Sequence, residues 1–143
     1  MSHPPPPARL SVLLLDDDNF TLDLLADMLA ELGHADVRCQ SDARAALQLL
    51  GHAPPALLIC DLSMPDMDGI EFIHAAAGAG YRGHVMLLSG MDAGVRRAAE
   101  RLARAHGLQV LGAYKKPISQ AELRAALALL PPDLYNATTL SGK

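Results

Sequence analysis

Three consecutive aspartates, Asp16, Asp17 and Asp18, follow the apolar run Val12–Leu15, and a fourth, Asp61, follows the run Ala56–Cys60. Brought into one pocket, carboxylates repel and raise one another's pKa, and a divalent cation relieves that repulsion. Magnesium or manganese suits such a pocket, because both take hard oxygen ligands, and magnesium keeps several waters. Two further apolar runs end on chemistry of the opposite kind. Val85–Leu88 is followed by Ser89, and Val110–Ala113 leads through Tyr114 into Lys115, Lys116 and Pro117. A hydroxyl donor and an ammonium facing a carboxylate–metal cluster suit a phosphoryl group, with one oxygen on each of lysine, serine and metal. Such transfer is mostly positioning and charge neutralisation, and this set supplies both. The bland alternative, that Asp16 to Asp18 only cap a helix, needs one aspartate and leaves two without a task.

The elements that must position these groups follow from the hydrophobic pattern. Short apolar runs without polar alternation suit strands buried on both faces, and Val12–Leu15, Ala56–Cys60, Val85–Leu88 and Val110–Ala113 have that form. Residues 35–39 alternate, which predicts an edge strand. Between the runs, apolar residues recur every three or four positions: Leu22, Leu25, Leu29 and Leu32; Val95, Ala98, Ala99 and Leu102; Leu123, Ala126, Leu127 and Leu130. Ala43–Leu50 and Ile70–Ala77 are shorter helices of the same kind. Asn19, Ser41 or Asp42, Asp68, Asp92 and Ser119 stand where N-caps belong, and Ser119 with Glu122 has capping-box spacing. Gly33, Gly51, Gly78 and Gly107 stand where helices end, and Pro131-Pro132 stops the last one. Five strand–helix units in succession predict an α/β fold. Its core is a doubly wound, five-stranded parallel sheet with helices on both faces. In such a sheet ligands bind at the carboxyl ends of the strands, and the order 2-1-3-4-5 makes the strands before Asp16 and Asp61 neighbours.

With those motifs in place, the chain resembles the receiver domains of two-component response regulators, a flavodoxin-like fold. The resemblance rests on residues 13–18 (Leu-Leu-Leu-Asp-Asp-Asp), residues 60–69 (Cys-Asp-Leu-Ser-Met-Pro-Asp-Met-Asp-Gly), Leu88-Ser89-Gly90 and Lys116-Pro117, and covers about residues 9–130. It implies that Asp61 accepts a phosphoryl group from a sensor histidine kinase, a phosphotransfer protein or a small phosphodonor. It implies a metal, Mg2+ or Mn2+, on Asp17, Asp61 and the backbone carbonyl of Ser63, with Asp16 acting through water. Ser89 and Lys116 would bind the phosphoryl oxygens, and Pro65 and Gly69 would shape the loop after the third strand. Ser63 and Met91 would flank the site and tune the lifetime of the phosphorylated form. The chain departs from the family in one place. The aromatic residue expected three before the lysine is replaced by Ala113, and Tyr114 lies one residue later, on the other face unless a bulge restores the register.

Composition narrows the partners. Half of the 143 residues are hydrophobic, 3% are aromatic, and the formal net charge is -4. Such a chain folds around an aliphatic core and offers neither the positive field nor the stacking surface of a nucleic-acid binder. The longest apolar runs are far too short to span a bilayer, and no secretory h-region is present. Cys39 and Cys60 form no C-x-x-C pair, so a cytoplasmic compartment is expected. Met64 and Met67 read as apolar lids of the loop, and Cys60 as core packing. Residues 1–8 read as a proline-rich disordered leader and 131–143 as a tail or the start of a linker. The stretch 107–112 is similar to receivers attached to cyclic-dinucleotide phosphodiesterase domains. Arg97, Arg101 and Arg104 fall on one helical stripe and suggest a homodimer through the fourth helix, fifth strand and fifth helix. The six histidines are scattered, and none has the i, i+4 spacing of a helical metal site. Two competing functions are a haloacid-dehalogenase-like phosphatase using Asp16, which leaves Asp61 idle, and a receiver-like interaction module that is never phosphorylated. Self-phosphorylation from small donors and self-dephosphorylation would be the chemistry of such a switch, which is otherwise not an enzyme.

Overall fold

A computed structural model describes residues 10–65 and 67–136. The leader of residues 1–8, the end of the tail and Asp66 therefore lie outside the described residues. The strands are β1 (Val12–Leu15), β2 (Val37–Gln40), β3 (Leu57–Asp61), β4 (His84–Ser89) and β5 (Gln109–Lys115). All pair in parallel in the order β2-β1-β3-β4-β5. The helices are α1 (Asn19–Glu31), α2 (Ala43–His52), α3 (Gly69–Gly78), α4 (Ala93–Ala105) and α5 (Gln120–Leu127).

The two-residue period of the strands sorts the core into two halves. Leu13, Leu15, Leu58, Cys60, Val85 and Leu87 face α2, α3 and α4, where Ala46, Phe72, Ile73, Ala99 and Ala103 meet them. Val12, Leu14, Leu57, Ile59, Met86 and Leu88 face α1 and α5 through Leu22, Leu25, Leu29, Leu123 and Ala126. Each buried leucine contributes roughly 1.5–3 kcal/mol, so these two layers fix the sheet and hence its carboxyl edge. Cys60 is buried in the first layer, as its packing role requires. Both outer strands are half-buried. The burial of β5 on both faces, expected from Val110–Ala113, is thus corrected: the strand lies at the far margin of the sheet.

Helix ends differ from the sequence expectation in four places. Asp18, not Asn19, caps α1, because Asp18 is extended and its side chain accepts from Phe20 N and from the Thr21 hydroxyl. Gly51 lies inside α2, which stops at Ala53, where the following Pro54 disfavours a helical backbone. Gly78 is the last residue of α3, and Gly80 takes the left-handed position instead, with φ of 85°. The last helix ends at Leu127, and a turn then carries Leu130 into the core ahead of the prolines. The capping box of Ser119 and Glu122 is present.

Candidate functional site

Strand ends assemble the site. β1 and β3 are neighbours, so Asp16, one residue beyond β1, lies beside Asp61, the last residue of β3. One oxygen each of Asp16, Asp17 and Asp61 falls within a 4.8 Å cluster. Asp16 and Asp61 are buried and Asp17 is exposed, which gives a cup open on one side. Asp18 is occupied as the helix cap, so capping accounts for one aspartate of the three and leaves two for the cup.

Lys116 closes the cup from the opposite strand end. Its backbone N–H donates to the Ser89 carbonyl at 2.9 Å. Its Nζ lies 2.8 Å from Asp16 Oδ2 and 3.6 Å from Asp61 Oδ1. Asp16 Oδ1 accepts from Asp18 N at 2.9 Å, so both Asp16 oxygens already have protein partners. Asp61 Oδ1 accepts from Ser63 N at 3.1 Å, which orients the carboxylate. Ser89 is fully buried at the end of β4, one residue past the partner of Asp61. Its Oγ accepts from Met91 N at 2.9 Å, leaving the hydroxyl proton free to donate.

Electrostatics follow from this crowding. Burial pushes the Asp61 carboxyl up to about 6; Asp16 and Asp17 push the same way, against the Ser63 N–H and Lys116. Burial alone would lower Lys116, but its hydrogen bond to Asp16 and the charges of Asp61 and Asp16 outweigh it and hold the ammonium above its usual pKa. Burial and the two neighbouring carboxylates make Cys60 a poor thiolate.

The loop after β3 is shaped by a close approach. A Cβ on Gly69 would meet the Leu62 Cα at 2.7 Å, and Gly69 N donates to the Leu62 carbonyl at 3.0 Å. Met64 and Met67 are partly buried against the α2–α4 layer. Beside the carboxylates, a cleft of about 310 Å³ runs between α1 and the residues after β5, lined by Phe20, Leu24, Met28, Lys116 and Ile118.

A match of residues 12–128 to the family described as the response regulator receiver domain decides what this arrangement is. The chain belongs to that family. This receiver is a signalling domain of two-component systems, and the match favours that over a dehalogenase-type phosphatase. It is 32% identical over 121 residues to the cyclic di-GMP phosphodiesterase RocR of Pseudomonas aeruginosa, covering 82% of this chain and 30% of that one. It is 46% identical over 66 residues to an uncharacterized 14.6 kDa protein of Leptolyngbya boryana, covering 46% of this chain and 50% of the relative. The alignments thus take in half or less of either curated relative. Among solved structures, a response regulator from Colwellia psychrerythraea is 34% identical, with a TM-score of 0.73 over 92% of this chain and 99% of that one.

The receiver's departure on β5 has a definite geometry. A bulge falls where Val85 pairs with Val110 and Met86 with Gly112, leaving Leu111 as the extra residue. Beyond it Ala113 pairs with Leu87 and packs in the α2–α4 layer, while Tyr114 pairs with Leu88 and packs in the α1–α5 layer. The bulge therefore leaves the tyrosine ring in the α1–α5 layer, with its hydroxyl in the field of both Glu100 of α4 and Glu122 of α5. Among the arginines of α4, Arg104 pairs with Glu100 and donates to the Val110 carbonyl, so the expected stripe is partly engaged within the chain. Sequence spacing also missed a contact: His74 and His106, 32 positions apart, bring their rings together. No helix among the described residues is long and apolar enough to cross a membrane.

Proposed function

We propose that Asp61 is the phospho-acceptor of this receiver. The observation that carries the assignment is Lys116 Nζ lying between Asp16 and Asp61 in an otherwise acidic cup. Asp61 Oδ1 is engaged by Ser63 N and Lys116, which leaves Oδ2 as the attacking atom. Oδ2 forms a bond to phosphorus as the phosphorus–nitrogen bond of a phosphohistidine breaks. The electron pair leaves on the imidazole nitrogen, which water or the donor protein protonates. Lys116 neutralises one developing oxyanion and the Ser89 hydroxyl donates to another.

The all-oxygen donor set fits Mg2+ or Mn2+, and Asp17, Asp61 and the Ser63 carbonyl would hold the ion. Both oxygens of Asp16 have protein partners, which supports a role through water. When bound, the cation offsets the repulsion between the carboxylates and the incoming phosphoryl group. Phosphorylation from small donors and loss of the phosphoryl group to water follow from the same chemistry, since an acyl phosphate is labile.

A sensor histidine kinase or phosphotransfer protein is the proposed donor. The apolar cleft beside Lys116, flanked by the exposed Phe20, supports a protein surface there. We assign residues 9–130 to the receiver, residues 1–8 to a proline-rich leader and residues 131–143 to a tail or the start of a linker, in a cytoplasmic protein. Similarity to RocR supports a cyclic-dinucleotide phosphodiesterase as an output domain. Dimerisation through α4, β5 and α5 would use Arg97 and Arg101, since Arg104 is engaged. Intact-mass analysis with acetyl phosphate and Mg2+ tests the assignment. Wild type should gain one phosphoryl group and Asp61→Asn none; an adduct retained in Asp61→Asn would refute it.

A further inference from the structure

His74 on α3 and His106 at the end of α4 approach with ring centroids 5.1 Å apart and planes at 75°. Both residues are exposed. Neither ring makes a hydrogen bond to a described residue, so their nitrogen lone pairs are available to a ligand. The backbone of His106 is firmly held. Leu108 N donates to the Ala103 carbonyl and Gly107 N to the Arg104 carbonyl, with Gly107 left-handed at φ of 89°. That is a Schellman motif, with buried Leu108 as its anchor. His74 is fixed in turn by its helix, whose neighbouring Ile73 is buried.

The pair is an edge-to-face ring contact, and its centroid separation is also one that two imidazoles on a shared metal ion would have. A metal–nitrogen bond of about 2.0–2.1 Å, with about 1.1 Å from nitrogen to ring centre, puts each centroid roughly 3.2 Å from the ion. Two such ligands at the tetrahedral angle stand about 5.2 Å apart. The ion would also lie at the C-terminal end of the 13-residue α4, the negative pole of its dipole. Imidazole pairs select zinc, nickel or copper, whereas magnesium takes oxygen ligands, so this site and the carboxylate cup sort ions by chemistry.

We propose that His74 and His106 form a two-imidazole site for a borderline transition-metal ion that clamps α3 to the C-terminal end of α4. Waters complete the coordination, because both rings face solvent. The site stands independently of the assignment of Asp61.

Nickel titration calorimetry of the untagged chain, with the carboxylate cup kept saturated by Mg2+, tests the proposal. Wild type should bind one equivalent of Ni2+, and His74→Gln or His106→Gln should each weaken it at least tenfold. Thermal unfolding without nickel should be unchanged in both variants, since both positions are exposed. In NMR spectra of wild type, Ni2+ should broaden two of the histidine ring signals ahead of the others. Asp17→Asn should leave nickel binding intact. No stoichiometric uptake by wild type, affinity retained in both histidine variants, or affinity lost only in Asp17→Asn would each overturn it.

Discussion

Substituting Asp61 by Asn should stabilise the metal-free protein at neutral pH. Burial lifts the Asp61 carboxyl from an ordinary 3.8 to about 6, and the charges of Asp16 and Asp17 add to the rise. The folded state thus holds this proton more tightly than the unfolded chain does. Ionisation then costs stability as pH rises, the reverse of a salt-bridged carboxylate. The cost is small near pH 4, grows between pH 4 and 6, and levels off at ~3 kcal/mol by pH 7, at about 1.36 kcal/mol per pKa unit. For a domain of this size that corresponds to a melting temperature higher in Asp61→Asn by on the order of 10 °C at pH 7. The assay is thermal and urea unfolding of both proteins in EDTA at pH 4 and pH 7, repeated in saturating Mg2+. The gap should open between pH 4 and pH 7 and narrow with Mg2+, because the cation binds the ionised cup of the wild type more tightly. Equal stabilities at pH 7 in EDTA, or a gap as large at pH 4, would refute the account of crowded, desolvated carboxylates.

Three other substitutions probe separate parts of the molecule. Lys116→Ala removes the only cation within 4 Å of Asp61 among the described residues, and should slow phosphorylation by acetyl phosphate at least tenfold in a mass-resolved time course. Gly69→Ala places a Cβ 2.7 Å from the Leu62 backbone, which no rotamer change can relieve, and should cost about 1–3 kcal/mol in urea unfolding. Tyr114→Ala should leave phosphorylation-dependent changes in self-association intact in sedimentation, because the ring packs in the α1–α5 layer; loss of the response would show that the tyrosine carries the signal after all.

Which parts of this architecture could be read in advance depended on how local the governing physics is. Unbroken apolar runs specify β1, β3 and β4, because burial on both faces leaves no polar alternation to confuse them. Asp42, Asp68, Asp92 and Ser119 cap their helices as their types and positions suggest. Asp16, Asp17, Asp61 and Lys116 were legible as a group because strand order alone brings their strand ends together. The misassigned ends turned on competition between neighbours. Asp18 and Asn19 are both capable caps, and Pro54 rather than Gly51 stops α2. The half-burial of β5 reflects its place at the sheet margin, which no property of Val110–Ala113 reveals. The β5 bulge arises from pairing with β4, and the His74–His106 contact from the packing of α3 on α4, so neither has a signature within its own segment.

The irregular outer strand has a further consequence, for what the sheet does not do. A regular, flat margin invites another chain to add on through its open amide and carbonyl groups, and ordered growth of aggregates begins that way. Here the extra residue at Leu111 breaks the repeat, the Arg104 guanidinium already occupies the Val110 oxygen, and a lysine ends the strand at Lys115. An arriving strand would meet an uneven template carrying positive charge, so this flank is guarded against edge-on stacking.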